Sequence, residues 1–191
     1  MSMRIINWEE YISENDTCSL PLAVTVGVFD GVHLGHRSLI RQICSPFPVP
    51  LLPTVVTFKQ NPLKTLMPET FTGDICTVEE KLRILESLGV KLAVLIDFSE
   101  EFSRINGRDF IDLLLGSRPV KLIALGRNFR CGHGLDTGAE EIRRFASDRG
   151  IETCIAEPVI DGGLPVSSSR IRQALAAGRV AEAERLLGRS P

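Results

Sequence analysis

Of the three histidines in this 191-residue chain, two share an HxGH spacing, in Gly27-Val28-Phe29-Asp30-Gly31-Val32-His33-Leu34-Gly35-His36. Imidazoles at His33 and His36, set at a helix start, can donate hydrogen bonds to phosphate oxygens. The helix N-terminus beside them adds unpaired N–H groups and a partial positive charge. Gly31 permits the tight turn or close backbone approach such a site needs. A second group, Val166-Ser167-Ser168-Ser169-Arg170-Ile171-Arg172, puts hydroxyls and arginines at another helix start and reads as a phosphate cradle. Taken singly, Asp30-Gly31 is a turn, the serines are helix caps and the arginines are solvated. The loop Gly126-Arg127-Asn128-Phe129-Arg130-Cys131-Gly132-His133-Gly134 by itself indicates only ordered backbone at close approach. No Walker A loop or GxGxxG fingerprint is present. No Cys or carboxylate stands at ligand spacing from the histidines, so a metal centre fits them poorly.

These loops need a scaffold, and apolar runs alternating with helical patterns supply one, as βαβ units of a mostly parallel sheet. Residues 22–28, 52–58, 92–96, 121–125 and 151–156 read as strands. Helices are expected near 34–44, 77–88, 99–105, 107–115, 139–148, 169–177 and 180–187. Pro46, Pro48 and Pro50 stop the first of these. Thr77-Val78-Glu79-Glu80 is a capping box, and Gly89 closes its helix. The predicted architecture is a Rossmann-like, doubly wound α/β sheet of about five strands. In such sheets ligands bind beyond the carboxyl ends of the strands, where the three loops fall.

Composition narrows the function classes. With 43% hydrophobic residues, 24% charged residues and a net charge of −2, the chain is not disordered and lacks the basic excess of a generic nucleic-acid binder. No apolar run approaches the roughly 20 residues that span a bilayer, and the N-terminus has no signal-like pattern. Cys18, Cys44, Cys76, Cys131 and Cys154 are too far apart for CxxC motifs, and free thiols in the cytoplasm are expected.

An early HxGH loop paired with a late SSSxxR loop is more specific than either alone. The pair resembles the signatures of the nucleotidylyltransferase superfamily. Val56-Thr57-Phe58 with Pro62, Glu79-Glu80-Lys81-Leu82-Arg83, Leu88-Gly89-Val90, Asp97-Phe98, Phe102, and Gly126 with Asn128-Phe129-Arg130 extend the match. From about Leu22 to Gly188 the chain resembles the adenylyltransferase module of prokaryotic FAD synthetase. The resemblance implies that FMN attacks the α-phosphorus of ATP, with Mg²⁺ on the phosphates, giving FAD and pyrophosphate. It implies that Gly27, Val28, Phe29, Asp30 and Gly35 lie against the nucleotide, and that His33 and His36 meet the ATP phosphates. Ser167, Ser168, Ser169 and Arg172 would hold the β- and γ-phosphates, with Asn128 near the nucleotide or metal. Phe58, Gln60, Asn61, Pro62, Phe129 and Arg130 would shape the flavin side. ATP and FMN are then the partners, with no nucleic acid and no membrane, and a monomer is expected.

Two stretches depart from the family pattern. TFxPHP is here Thr57-Phe58-Lys59-Gln60-Asn61-Pro62, and Cys131 replaces a phenylalanine, with Leu135 near an expected basic position. By the resemblance both would shape the flavin side, so they bear on the acceptor rather than on nucleotidyl transfer. A nucleotidylyltransferase with another phosphorylated acceptor, such as a cytidylyltransferase, is the alternative enzyme reading. An inactive nucleotide- or flavin-binding module is opposed by the intact loops, and a dehydrogenase by the missing GxGxxG. Residues 1–188 are expected to form one adenylyltransferase-like domain, with 189–191 as a tail. Family members commonly continue past a Leu-Gly-Arg junction into a riboflavin kinase barrel, and no kinase activity is expected of the residues here.

Overall fold

The computed structural model describes residues 2–13 and 20–190; Met1, Cys18 and Pro191 lie outside the described residues. The chain opens with β1 (Arg4–Asn7) and α1 (Trp8–Ile12), then β2 (Leu22–Val26), α2 (Leu34–Cys44), β3 (Leu52–Phe58) and α3 (Pro62–Leu66). It continues through α4 (Val78–Ser87), β4 (Leu92–Ile96), α5 (Glu100–Ser103), α6 (Gly107–Gly116) and β5 (Val120–Gly126). A small ribbon, β6 (Arg130–Cys131) with β7 (Thr137–Gly138), precedes α7 (Ala139–Ser147) and β8 (Glu152–Ala156). A hairpin of β9 (Ile160–Asp161) and β10 (Leu164–Pro165) leads into α8 (Ser168–Ala176) and α9 (Val180–Leu187).

The main sheet has six strands, in the order β1-β4-β3-β2-β5-β8, and every pairing in it is parallel. Five of the strands coincide with the apolar runs; the sixth, β1, is additional to the expected five. It is an edge strand in which only Ile6 of four residues is buried, so it carries neither a long apolar run nor a clear alternation. The strand expected at 22–28 ends at Val26. Gly27 and Val28 leave the sheet, although the Gly27 N–H still donates to the Val56 carbonyl at 3.1 Å.

Side chains alternate across the strands and divide the core into two layers. Val24, Val56, Val94 and Ile123 face α6 and α7 on one side of the sheet, where Phe110, Leu114 and Ile142 pack on them. Ala23, Val55, Leu122 and Ala124 face α2 and α4 on the other, against Ile40, Ile43 and Leu85. Both faces are covered, which is why the strands are continuously apolar. α8 and α9 make a third small core from Ile171, Ala174, Ala183, Leu186 and Leu187, docked on Leu34 and Ile75.

Chain order reverses between β2 and β5. The loops that follow these neighbouring strands part in opposite directions, opening a crevice at their carboxyl ends.

Candidate active site

The backbone between β2 and α2 is bent against its preferences. Phe29 (φ 52°), Gly31 (φ 75°) and Val32 (φ 42°) are all left-handed, and for a β-branched valine that is genuine strain. A Cβ on Gly31 would also lie 2.8 Å from Ile75, so this position takes only glycine. The turn aims the His33 ring at the start of α2. His33 is the helix N-cap, with its Nδ1 accepting from the His36 N–H at 3.3 Å. Gly35 is what lets that ring lie over the first turn, since a Cβ there would sit 3.1 Å from His33 Cε1.

The two imidazoles stack with centroids 3.6 Å apart. Burial holds His33 down to a pKa of about 4, and drives His36 well below its usual range, with His33 and Lys81 adding to the effect. Both rings are therefore neutral at pH 7. Because Nδ1 of His33 accepts a hydrogen bond, its proton resides on Nε2, which makes Nε2 a donor. His36 Nδ1 is buried with no hydrogen-bond partner among the described residues.

The serine–arginine loop, distant in sequence, closes on the same turn. Ser168 Oγ donates to the Asp30 carbonyl at 3.0 Å, and Arg172 Nη1 donates to Asp30 Oδ2 at 2.6 Å. Asp30 Oδ1 also accepts from the Ile75 N–H at 2.8 Å. Burial raises the Asp30 carboxyl above its usual range, against the pull of the Ile75 N–H and Arg172. Ser167 caps α8 by accepting from the Arg170 N–H, and Ser169 is exposed; neither lines the cavity described next.

One cavity of about 860 Å³ runs along these loops. Its polar end is walled by Gly27, Val28, Phe29, Asp30, His33, Gly35, His36, Ser168 and Arg172. Its apolar end is walled by Phe58, Phe98, Phe102 and Phe110, and Asn61, Pro62, Leu63, Leu66 and Met67 line it too. The rings form a chain of edge and tilted contacts: Phe58–Phe98 at 5.7 Å, Phe98–Phe102 at 5.8 Å and Phe102–Phe110 at 6.0 Å. Asn128, Phe129 and Arg130 also line the cavity.

Not every residue singled out by sequence faces this space freely. Gln60 is exposed and does not line the cavity; its amide donates to the Phe98 carbonyl at 3.3 Å. Asn61 does line it, but its polar atoms are engaged, capping α3 at the Leu63 N–H and donating to Asp74 Oδ1 at 3.0 Å. Arg130 Nε donates to the Leu135 carbonyl at 2.7 Å. The carboxylate of Asp30 and the rings of Phe98, Phe102 and Phe110 were not legible as a unit, because four separate elements contribute them. α3 was not expected either; its signal is the Asn61-Pro62 pair, an N-cap followed by proline at the first helical position.

Among the described residues no group of three His, Cys, Asp or Glu could hold a metal. The Asp30 carboxylate is committed to Arg172 and Ile75. With Asp30 so engaged, a divalent ion at this wall would have to take most of its oxygen ligands from a bound molecule's phosphates.

The family model described as FAD synthetase matches residues 16–170. A bifunctional riboflavin kinase/FMN adenylyltransferase of Escherichia coli (strain K12) is 33% identical over 167 residues, covering 86% of this chain and 53% of that protein. A FAD synthetase of Listeria monocytogenes serovar 1/2a is 26% identical over 166 residues, covering 86% of this chain and 68% of its own length. A crystal structure titled a macrolide-efflux protein from Streptococcus pneumoniae superposes with a TM-score of 0.82 at 29% identity, over 98% of this chain and 62% of that one. The chain spans about half the length of the curated bifunctional relatives it matches.

Proposed function

Since the chain belongs to the FAD synthetase family, we propose that it transfers AMP from ATP to FMN. An oxygen of the FMN phosphate attacks the α-phosphorus, the bond to the β-phosphate oxygen breaks, and FAD and pyrophosphate leave. The observation that carries this reading is the single cavity in which a phosphate-directed end and an aromatic end are continuous. A product containing two ring systems joined by two phosphates needs such a site.

No side chain here is built as a nucleophile, so catalysis rests on positioning and on stabilising charge. His33 donates from Nε2 to an α-phosphate oxygen as charge develops there. His36, stacked beneath it, holds that ring in place and offers a second donor. The Arg172 donors that Asp30 does not occupy, with the hydroxyl and N–H groups at the start of α8, receive the departing β- and γ-phosphates. Backbone from Gly27 to Asp30 lies along the adenosine. Phe58, Phe98 and Phe102 enclose the flavin ring, with Pro62 and Phe129 at its edges, and the exposed Arg130 is placed to meet the FMN phosphate. Asn128 would be the protein oxygen donor for a Mg²⁺ on the triphosphate, whose charge such an ion would neutralise.

A cytoplasmic, monomeric enzyme belongs to the same reading. Cys44, Cys76, Cys131 and Cys154 are free thiols, as a reducing compartment would leave them. No helix among the described residues is long and apolar enough to cross a membrane.

The test is incubation with ATP, Mg²⁺ and FMN, followed by chromatography. FAD and pyrophosphate are expected only when all three are present. Turnover with CTP or with another phosphorylated acceptor, and none with FMN, would replace FMN adenylyltransferase with the other nucleotidylyltransferase reading. FMN formed from riboflavin would contradict the expectation that these residues carry no kinase activity.

A further inference from the structure

Lys81 is a charged residue at 6% exposure, set on the apolar stripe of α4 one turn before Leu85. Its ammonium donates to the Phe58 carbonyl at 2.9 Å, and to the Val28 carbonyl and Thr57 Oγ1 at 3.3 Å each. Thr57 Oγ1 donates in turn to the Val28 carbonyl at 3.0 Å. All three ammonium donors are therefore spent, and every acceptor is neutral. Asp30 and Asp74 act on this charge only through space, which leaves burial as the dominant influence and the Lys81 pKa below its ordinary value. A buried charge without a bonded carboxylate is costly, and an apolar side chain of similar length would avoid that cost. The position is therefore expensive for stability alone.

The two carbonyls it joins belong to two different walls of the cavity. Val28 sits in the loop that runs to His33, and Phe58 ends β3 with its ring on the aromatic wall. Lys81 itself does not line the cavity; it lies behind Val28 and Phe58, which do. Its charge is felt at His36, which it helps to keep neutral.

We propose that Lys81 is a positioning residue for the transfer step. It sets the spacing between the nucleotide-side loop at Val28 and the acceptor-side strand end at Phe58, and puts a fixed positive charge behind the point where the two substrates' phosphates meet. The proposal rests on the reading of this cavity as the ATP–FMN transfer site. Two bound substrates misaligned by a fraction of an ångström keep their affinities and lose rate, so the signature is a fall in kcat without a matching change in binding.

Lys81→Met and Thr57→Val in the full chain test it, with FAD formation at saturating ATP and FMN, ligand titrations and thermal melts run together. Lys81→Met is expected to lower kcat by about tenfold or more while affinities for ATP and FMN stay within about threefold. Thr57→Val, which keeps shape and removes one link of the clamp, is expected to lower kcat by about two- to fourfold. Lys81→Arg, which keeps charge and donors, should recover part of the rate. Lys81→Met with kcat within twofold of wild type overturns the proposal, as does a loss confined to binding. If Lys81→Met gives no cooperative melt, Thr57→Val decides: an unchanged kcat rejects the clamp. Wild-type protein that makes no FAD would remove the functional reading and this proposal together, whereas wild-type turnover with unaffected variants removes only the role of Lys81.

Discussion

Arg172 Nη1 lies 2.6 Å from Asp30 Oδ2, a pairing made across 142 residues of sequence. Ser168 Oγ makes a second link to the same residue, at its carbonyl. The start of α8 is thus fastened to the turn that carries the histidines, and the two loops form one surface. Asp30 also tethers the Arg172 guanidinium through Nη1, which restricts the other donors before any ligand arrives. Such preorganisation lowers the ordering cost of binding.

Asp30→Asn should therefore behave as a weakened Arg172. Its amide can still accept from the Ile75 N–H, but it no longer holds the guanidinium by charge. kcat/KM for ATP is expected to fall by roughly 10- to 100-fold, with FMN affinity nearly unchanged. Arg172→Lys should fall at least as far, because an ammonium cannot keep Asp30 and grip two phosphate oxygens in one plane. Flavin fluorescence titration beside ATP kinetics checks both. An Arg172 variant that loses FMN binding and keeps ATP affinity would exchange the two ends of the cavity.

His33→Ala and His36→Ala are each expected to lower kcat by about 10²- to 10³-fold. His33 also bears on stability. Its ring is buried and caps α2, so His33→Ala should also cost about 1 kcal/mol in a denaturant titration. His33→Asn restores a capping acceptor without an imidazole donor. It should recover that stability and none of the rate. If rate returns with the cap, the ring's role is to start the helix.

The neutral state of His33 makes stability depend on acidity. Its pKa is about 4 in the fold against 6.5 for a free imidazole. Between those values the unfolded chain binds the extra proton, so stability is greatest above pH 6.5 and falls as the solution is acidified toward pH 4, then levels. The contribution at stake is about 3 kcal/mol. Urea midpoints measured from pH 7 to pH 4.5 should drop, and His33→Asn should flatten part of that drop. Equal slopes in the two proteins would mean that His33 is not held neutral by burial.

On the acceptor side, the geometry separates Gln60 from its neighbours. Gln60→Ala should leave the apparent FMN affinity within about twofold, because the side chain is exposed and off the cavity. Asn61→Ala should weaken FMN several-fold by freeing the start of α3 and the Asp74 carboxylate. Phe102→Leu, which removes a ring while keeping bulk, is expected to weaken FMN by about 2- to 12-fold and to spare ATP. A Gln60 variant with a larger effect on FMN than Asn61→Ala would reverse this order.

Local patterns in the chain were sufficient for most of the scaffold. The runs at 52–58 and 92–96 are strands with those bounds, and Thr77 caps α4 by accepting from the Glu80 N–H, as its spacing implied. These features depend on neighbours within a few residues, so a linear reading reaches them. β1 escaped because an edge strand with one buried residue carries almost no local signal. The histidine and serine–arginine loops were recognisable by type and spacing, but nothing local indicated that Asp30 joins them. Nor did the sequence reveal that Gln60 turns outward while Asn61 faces in, or that Phe58, Phe98, Phe102 and Phe110 share one wall. A lysine on the apolar face of α4 was the visible sign of Lys81, yet its acceptors lie 23 to 53 residues away. Pairings of that kind are made only when β2 and β3 lie side by side and their carboxyl ends converge, because the partners are chosen by sheet order rather than by distance along the chain.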